Sequence, residues 1–244
     1  MKKLFFSMAI AVFGFHAQAQ NAIDVLDKID KNMSSDTRMI ESTMIIHGKR
    51  NDRTMTSKSY GIGNKKSFTE YLSPARDKGT KMLKLDKELW MYSPSTDRTI
   101  MISGHMLRQS VMGSDLSYED MMDDRKLKDV YTPKITGEET VEGRKCYVLQ
   151  LSAKVDDVAY GAQKLWVDKE RHVPFVQELY AKSGQLLKRI TLSDVRQTGG
   201  RWYPMKMNYK DMLKEGNGTD WIITSIEFDK PIPDYIFSKA SLKQ

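Results

Sequence analysis

Turn-forming residues break this chain at short intervals. Gly61-Ile62-Gly63-Asn64, Ser73-Pro74, Asp86-Lys87 and Ser93-Pro94-Ser95 punctuate the first half. Gly137, Gly143, Asp168-Lys169-Glu170, Ser183-Gly184, Gly199-Gly200 and Glu215-Gly216-Asn217-Gly218 punctuate the second. Between them lie strand-like runs at 38–49, 53–61, 66–72, 81–85, 88–92 and 98–103, then at 131–139, 144–153, 162–168, 174–181, 186–195, 203–211 and 221–229. Parallel neighbours need a crossover of about a dozen residues, whereas antiparallel neighbours need only a hairpin. Breaks of this length therefore predict an antiparallel meander, curved or partly closed, of about ten strands.

Alternation within the runs says which faces are covered. Tyr147, Leu149 and Leu151 share one face, and Leu186, Ile190 and Leu192 share another. Trp90-Met91-Tyr92, Ile100-Met101-Ile102, Leu165-Trp166-Val167 and Ile222-Ile223 are apolar on both. An antiparallel strand of that kind has both faces out of water. Packed helices and a bound apolar ligand are the two covers this sequence offers.

Two stretches depart from the strand rhythm. Ala22, Ile23, Val25, Leu26, Ile29 and Met33 recur at helical spacing among acids and Lys28, predicting an amphipathic helix of about three turns. The second stretch is 113–124. Gly113 and Ser114 break the preceding segment, Ser117 is placed to N-cap a short helix, and Asp120 completes a capping box. Glu119 and Asp120 also put negative charge in the first turn, where the helix dipole favours it. A Met-rich approach over 106–112 leads in. A helical insertion in a β-rich chain must cover something.

The N-terminus has the pattern of a secretory signal. Lys2 and Lys3 precede the apolar run 4–15, and Ala17-Gln18-Ala19 is an A-x-A cleavage site. Residues 1–19 are accordingly expected to be a signal peptide and 20–244 one domain, free in the periplasm of a cell with an outer membrane. The apolar run is too short for a permanent membrane anchor. Loss of Lys2 and Lys3 lowers the formal charge from +7 by two, to +5. No run of cations interleaved with aromatics marks a nucleic-acid groove, so no nucleic acid is expected. Cys146 is the single cysteine, so no intramolecular disulfide forms and the thiol reads as a small buried residue.

Motifs for covalent chemistry are missing. His47, His105 and His172 lie far apart without motif context, and no H-E-x-x-H, G-x-S-x-G, C-x-x-C or Walker-type loop occurs. The acids Asp115, Glu119, Asp120, Asp123 and Asp124 offer the oxygen donors Ca²⁺ takes, but their spacing is not that of an EF-hand and capping accounts for two of them. No catalytic residue, metal or cofactor is expected. Methionine is more telling: the chain has 16, with Met101, Met106, Met112, Met121 and Met122 beside the insertion. Thioether chains conform to ligands of varied shape, and they equally fill irregular core gaps.

A family resemblance rests on several of these segments. They are Tyr71-Leu72-Ser73-Pro74-Ala75-Arg76-Asp77-Lys78-Gly79-Thr80-Lys81-Met82-Leu83, Leu89-Trp90-Met91-Tyr92-Ser93-Pro94, Gly113-Ser114-Asp115-Leu116-Ser117-Tyr118-Glu119-Asp120, Leu165-Trp166-Val167-Asp168-Lys169-Glu170 and Trp202-Tyr203-Pro204. Through them the chain resembles the LolA-like outer-membrane lipoprotein-sorting superfamily, in its longer branch. The resemblance implies an α+β, mainly β fold: an unclosed antiparallel β-barrel whose short helices form a lid over an apolar cavity. It implies a non-catalytic, monomeric carrier that shields acyl chains of lipoproteins or membrane lipid during transfer to the outer membrane. An inner-membrane transporter and an outer-membrane acceptor are the implied partners. Exposing acyl chains to water costs about 0.8 kcal/mol per CH₂, so such a carrier must enclose them. The residues expected at the cavity and lid are Trp90, Tyr92, Met101, Met106, Leu107, Val111, Met112, Leu116, Tyr118, Met121, Met122, Leu149 and Trp166. Arg38 is one candidate for the arginine that family carriers place near the cavity. The alternative, from another class, is a non-carrier envelope adaptor whose sheet edge or basic surface docks a membrane transporter.

Overall fold

The computed structural model describes residues 10–122 and 125–244, with side chains from 21 onward. Helix α1 (Ile10–Met33) contains the expected amphipathic segment and continues back through Ala17-Gln18-Ala19. Six strands follow as a meander: β1 (Thr37–Ile46), β2 (Arg53–Ile62), β3 (Lys66–Ser73), β4 (Lys81–Leu85), β5 (Glu88–Ser93) and β6 (Arg98–Ile102). Two 3₁₀ turns (Gly104–Arg108 and Val111–Gly113) and two short helices, α2 (Tyr118–Met122) and α3 (Leu127–Val130), form the insertion. A second meander completes the sheet: β7 (Tyr131–Val141), β8 (Arg144–Ala153), β9 (Ala162–Asp168), β10 (Pro174–Tyr180), β11 (Leu186–Thr198), β12 (Arg201–Asp211) and β13 (Thr219–Phe228). The chain ends in 3₁₀ turns Asp234–Phe237 and Lys239–Leu242.

All thirteen strands among the described residues join one antiparallel sheet in the order β6-β5-β4-β3-β2-β1-β13-β12-β11-β10-β9-β8-β7. Strands that pair are neighbours in sequence except at one seam, where β1 meets β13 with Met44 opposite Trp221. That pairing joins the two meanders at the middle and leaves β6 and β7 as the edges. The expectation of about ten strands was low: each of the thirteen candidate runs, the short 81–85 and 98–103 included, is a strand of the sheet. The expected unclosed barrel is present, and the insertion is the segment that runs from one open edge to the other.

One face of the sheet carries a continuous apolar layer. Toward the β7 end, α1 packs Val25, Leu26 and Ile29 against Tyr131, Leu149, Leu151, Leu165 and Val167. Met33 joins this group to a central one of Tyr203, Met205, Ile223 and Phe228, where Tyr203 meets Phe228 edge to face at 5.3 Å. Toward the β6 end, Met44, Met55, Tyr71, Met82 and Leu89 lie beneath the insertion. Cys146 is buried as expected and carries no disulfide.

Of the strands read as apolar on both faces, β5 has its second face covered by the C-terminal turns, whereas β6 leaves Ile100 and Met101 exposed and so does not have both faces out of water. On β2 to β5 the residues between those of the inner layer, Tyr60, Phe68, Leu83, Trp90 and Tyr92, face the opposite side. There the C-terminal turns lie over them through Ile236, Phe237 and Leu242. The Lys81 ammonium is buried on that side and donates to backbone carbonyls of Ser241, at 3.5 Å, and Gln244, while Lys239 sits 3.8 Å over the Trp90 ring.

If α1 is an integral part of the core, Leu26→Ala should lower unfolding free energy by about 3 kcal/mol in urea denaturation, the usual cost of a buried Leu-to-Ala cavity. A loss below about 1 kcal/mol would mean that the sheet closes without the helix.

Candidate functional site

The insertion begins as a tight loop. Val111 N–H donates to the Leu116 carbonyl at 2.8 Å and Tyr118 N–H to that of Gln109 at 3.1 Å, with Ser110 and Ser117 bridged between. Closing a loop this tight puts both Met112 (φ 51°) and Gly113 (φ 78°) in left-handed backbone, and glycine meets that demand at no steric cost. At its end α2 has the capping box read from the sequence. Asp120 N–H donates to Ser117 Oγ at 3.3 Å and Ser117 N–H to Asp120 Oδ2 at 2.7 Å.

Polar contacts fasten this loop to the rim of the sheet at several points. Asp115 Oδ1 accepts from Asp211 N–H at 3.0 Å, and Asp115 Oδ2 accepts from Thr219 Oγ1 at 2.8 Å, which ties the loop to the β12–β13 hairpin. Lys214 of the same hairpin donates to Ser110 Oγ at 2.9 Å. On the far side Arg53 of β2 donates to the Met112 carbonyl, and buried Lys84 of β4 donates to that of Met122 at 3.1 Å. In the middle, Lys188 of β11 forms an ion pair with Asp120, which also accepts from the Tyr160 hydroxyl.

Electrostatics bear on that middle contact. Burial alone would favour the protonated acid, yet the Lys188 charge and the bonds from Lys188, Tyr160 and the Ser117 backbone together hold Asp120 below the usual carboxylate range. Burial, and then the Asp120 charge, push the Tyr160 phenol upward, so it stays a donor. Asp115 and Asp120 are thus engaged in holding the insertion against the rim. Among the described residues no group of three or more His, Cys, Asp or Glu side chains stands close enough to hold a metal ion; Asp123 and Asp124 lie outside them.

Beneath the insertion is a hollow of about 270 Å³ against the inner face of β9 to β12, lined by Leu116, Leu127, Leu179, Ile190 and Tyr209, with Gln163, Gln177 and the Asp120–Lys188 pair among them. It adjoins, through Leu116, Tyr160 and Lys188, a wider cleft of about 650 Å³ at the rim, lined also by Arg108, Leu187, Leu213 and Lys214. A third hollow of about 340 Å³ lies under Leu107, Met122 and Arg125. The lining is mixed rather than wholly apolar, because polar fastenings cross it.

The predicted site residues divide. Met106, Leu107, Val111, Met112, Leu116, Tyr118, Met121 and Met122 come together in one cluster between insertion and sheet, where Tyr118 donates to Met91 Sδ at 3.5 Å. Leu149 lies on the same face but under α1. Trp90 and Tyr92 do not belong here: alternation turns them to the opposite face, under the C-terminal turns. Met101 pairs with Trp90 across β5 and β6 and is 43% exposed. Trp166 also stands outside, bonded to Glu139 at 2.7 Å with the Lys164 ammonium 4.2 Å over its ring. Arg38 is on the inner face, its side chain passing over Gly61, at the end of β1 away from the insertion. The fastening residues Lys188, Tyr160, Arg53, Lys84 and Thr219 escaped the sequence reading. Each is an ordinary strand or loop residue whose partner is set by the fold, and only the 186-190-192 alternation hinted that Lys188 faces inward.

Asp120→Ala should cost about 3 kcal/mol, since it removes a cap and leaves Lys188 half-buried without its partner. Asp120→Asn combined with Lys188→Met should recover most of that loss. Because the folded acid titrates below its unfolded value, its contribution is complete above about pH 4 and disappears as pH falls further. The stability gap between wild type and Asp120→Asn, followed by urea titration across pH, should narrow in that acid range; a gap that grew there would refute the assignment.

Comparison with known proteins places the fold. A DUF1329 family protein from Desulfovibrio piger superposes with a TM-score of 0.83 at 26% identity, covering 92% of this chain and 99% of its own. A putative outer-membrane lipoprotein-sorting protein domain from Vibrio parahaemolyticus gives 0.80 at 21% identity, over 93% and 100%. A LolA superfamily protein from Nitrosomonas europaea gives 0.74 at 23%, over 90% and 98%. No curated protein matches the chain. The expected LolA-like fold is therefore present. A family model described as "Uncharacterized protein" matches residues 63–244, three quarters of the sequence, and the chain belongs to that family.

Proposed function

We propose that this chain is a non-catalytic carrier that shields the acyl chains of lipoproteins or lipids in the periplasm on their way to the outer membrane. Residues 1–19 would direct its export and be removed. The observation that carries the reading is the construction of the insertion. Its underside is Met and Leu, while its attachment to the sheet rim is a set of separate polar contacts. Apolar side chains that conform to a guest, under a segment held by exchangeable hydrogen bonds and an ion pair, suit a cavity that must both hold and release. The names of its structural neighbours, a lipoprotein-sorting domain and a LolA superfamily protein, agree with this role. Among the described residues no helix is long and apolar enough to cross a membrane, which agrees with a carrier that works between membranes.

One observation favours the adaptor reading instead: in the present conformation methionine side chains fill the layer beneath Val111 and Tyr118. For an acyl guest those side chains must move aside, whereas for an adaptor they are simply core.

Native mass spectrometry and lipid extraction of the purified protein should find acyl-chain ligands, and a fluorescent fatty acid should bind. Met121→Trp should cut that uptake about tenfold while costing under about 2 kcal/mol of stability, because an added ring occupies guest space. Protein that is reproducibly empty and takes up no fatty acid would overturn the carrier reading. A Met121→Trp variant that is simply destabilised would point to the adaptor's packed core.

A further inference from the structure

The β12–β13 hairpin exposes two large apolar side chains at its tip. Leu213 is 63% exposed and Met212 38%. They sit on an ordered turn: Met212 N–H donates to the Leu187 carbonyl at 2.8 Å and Leu213 N–H to Asp211 Oδ1 at 3.0 Å. Backbone bonds at this strength hold the side chains outward, where a soluble surface gains nothing from them.

Cations lie beside the pair. Lys210 and Lys214 flank it in the hairpin, Lys210 donating to the Lys214 carbonyl, and the exposed Lys49 of the β1–β2 loop comes beside it by bonding Glu215 at 2.5 Å. Arg108 stands across the cleft mouth, which Leu213 and Lys214 also line. The acids nearby are Asp211, paired with Lys214 at 3.4 Å, Glu215, paired with Lys49, and Asp115 and Glu119 of the cleft lining. A projecting apolar tip flanked by long cationic side chains matches the boundary of a bilayer, where apolar groups enter the acyl region and ammonium groups stay with anionic headgroups. A protein partner would call for a broad patch of roughly 800 Å² with an apolar centre. The other large exposed apolar residues, Tyr235, Leu72, Ile100 and Met101, lie on other elements and do not extend this one.

We propose that the β12–β13 hairpin tip is the element by which this protein docks on an anionic lipid bilayer, Leu213 and Met212 entering the interface while Lys210, Lys214 and Lys49 exchange their present partners for headgroup phosphates. Docked in this way, the protein presents the mouth of its rim cleft to the membrane. The hairpin is also where the insertion is fastened, through Asp115 and Lys214.

The test is sedimentation of the purified protein with vesicles of phosphatidylcholine alone and of phosphatidylcholine containing phosphatidylglycerol. Binding is expected to the anionic vesicles, weakened by added salt. The double variant Met212→Ser, Leu213→Ser should lose about tenfold in partitioning, the scale set by burying one large apolar side chain. Both residues are exposed, so its urea midpoint should match wild type. Wild-type protein that ignores anionic vesicles, or a serine pair that binds them undiminished, overturns the proposal. The fatty-acid assay separates it from the carrier reading: tip-dependent vesicle binding without fatty-acid uptake leaves the docking tip standing and defeats the carrier alone.

Discussion

An antiparallel sheet that stops short of closure leaves two rows of unpaired backbone groups, and the rest of this molecule is arranged around that fact. Exposed edges invite pairing with other chains unless they are short, covered or charged. Here β6 is five residues long, and the chain leaves it directly into an insertion that ends at β7. The same segment that bridges the open seam also roofs the inner face of the sheet. A closed barrel would be walled all round by backbone hydrogen bonds; the open one has a roof made of side chains and hydrogen bonds, which is a much softer boundary.

The roof combines two kinds of interaction with different consequences. Its apolar underside contributes burial that depends on area and tolerates rearrangement, because thioether chains have several rotamers of similar energy. Its polar contacts depend on geometry and fail individually. Asp120 concentrates the second kind, capping α2, pairing with Lys188 and accepting from Tyr160. A pair this buried adds little net stability over apolar replacements, but removal of one partner alone is costly. Such a contact specifies one closed position for the insertion without making the closed state very deep.

The strands were legible because hairpin spacing and alternation are local properties. Every candidate run became a strand, and the Ser117–Asp120 capping box was read correctly from two residue types three positions apart. Which face each strand presents was only half legible. Trp90 and Leu89 are both apolar, and nothing in the local pattern says that Trp90 meets Phe237 while Leu89 meets the insertion. That depends on a C-terminal segment some 140 positions away. The fastening residues were illegible for the same reason. Lys188 and Asp120 are 68 positions apart, and Asp115 and Thr219 are 104 apart. Their partnership exists only once the meander has placed β11 and β13 along the rim.

The attachment of the insertion to the β12–β13 hairpin has a thermodynamic corollary. Asp115 is bonded to both Asp211 and Thr219, so the loop and the hairpin share one set of contacts. Two events that compete for the same contacts are coupled, and the coupling is reciprocal. Anything that reshapes the hairpin shifts the balance between closed and open insertion by the difference in its affinity for the two states. By the same amount, anything that lifts the insertion changes how the hairpin grips its surroundings. A molecule built in this way has the position of its insertion written into its outer surface.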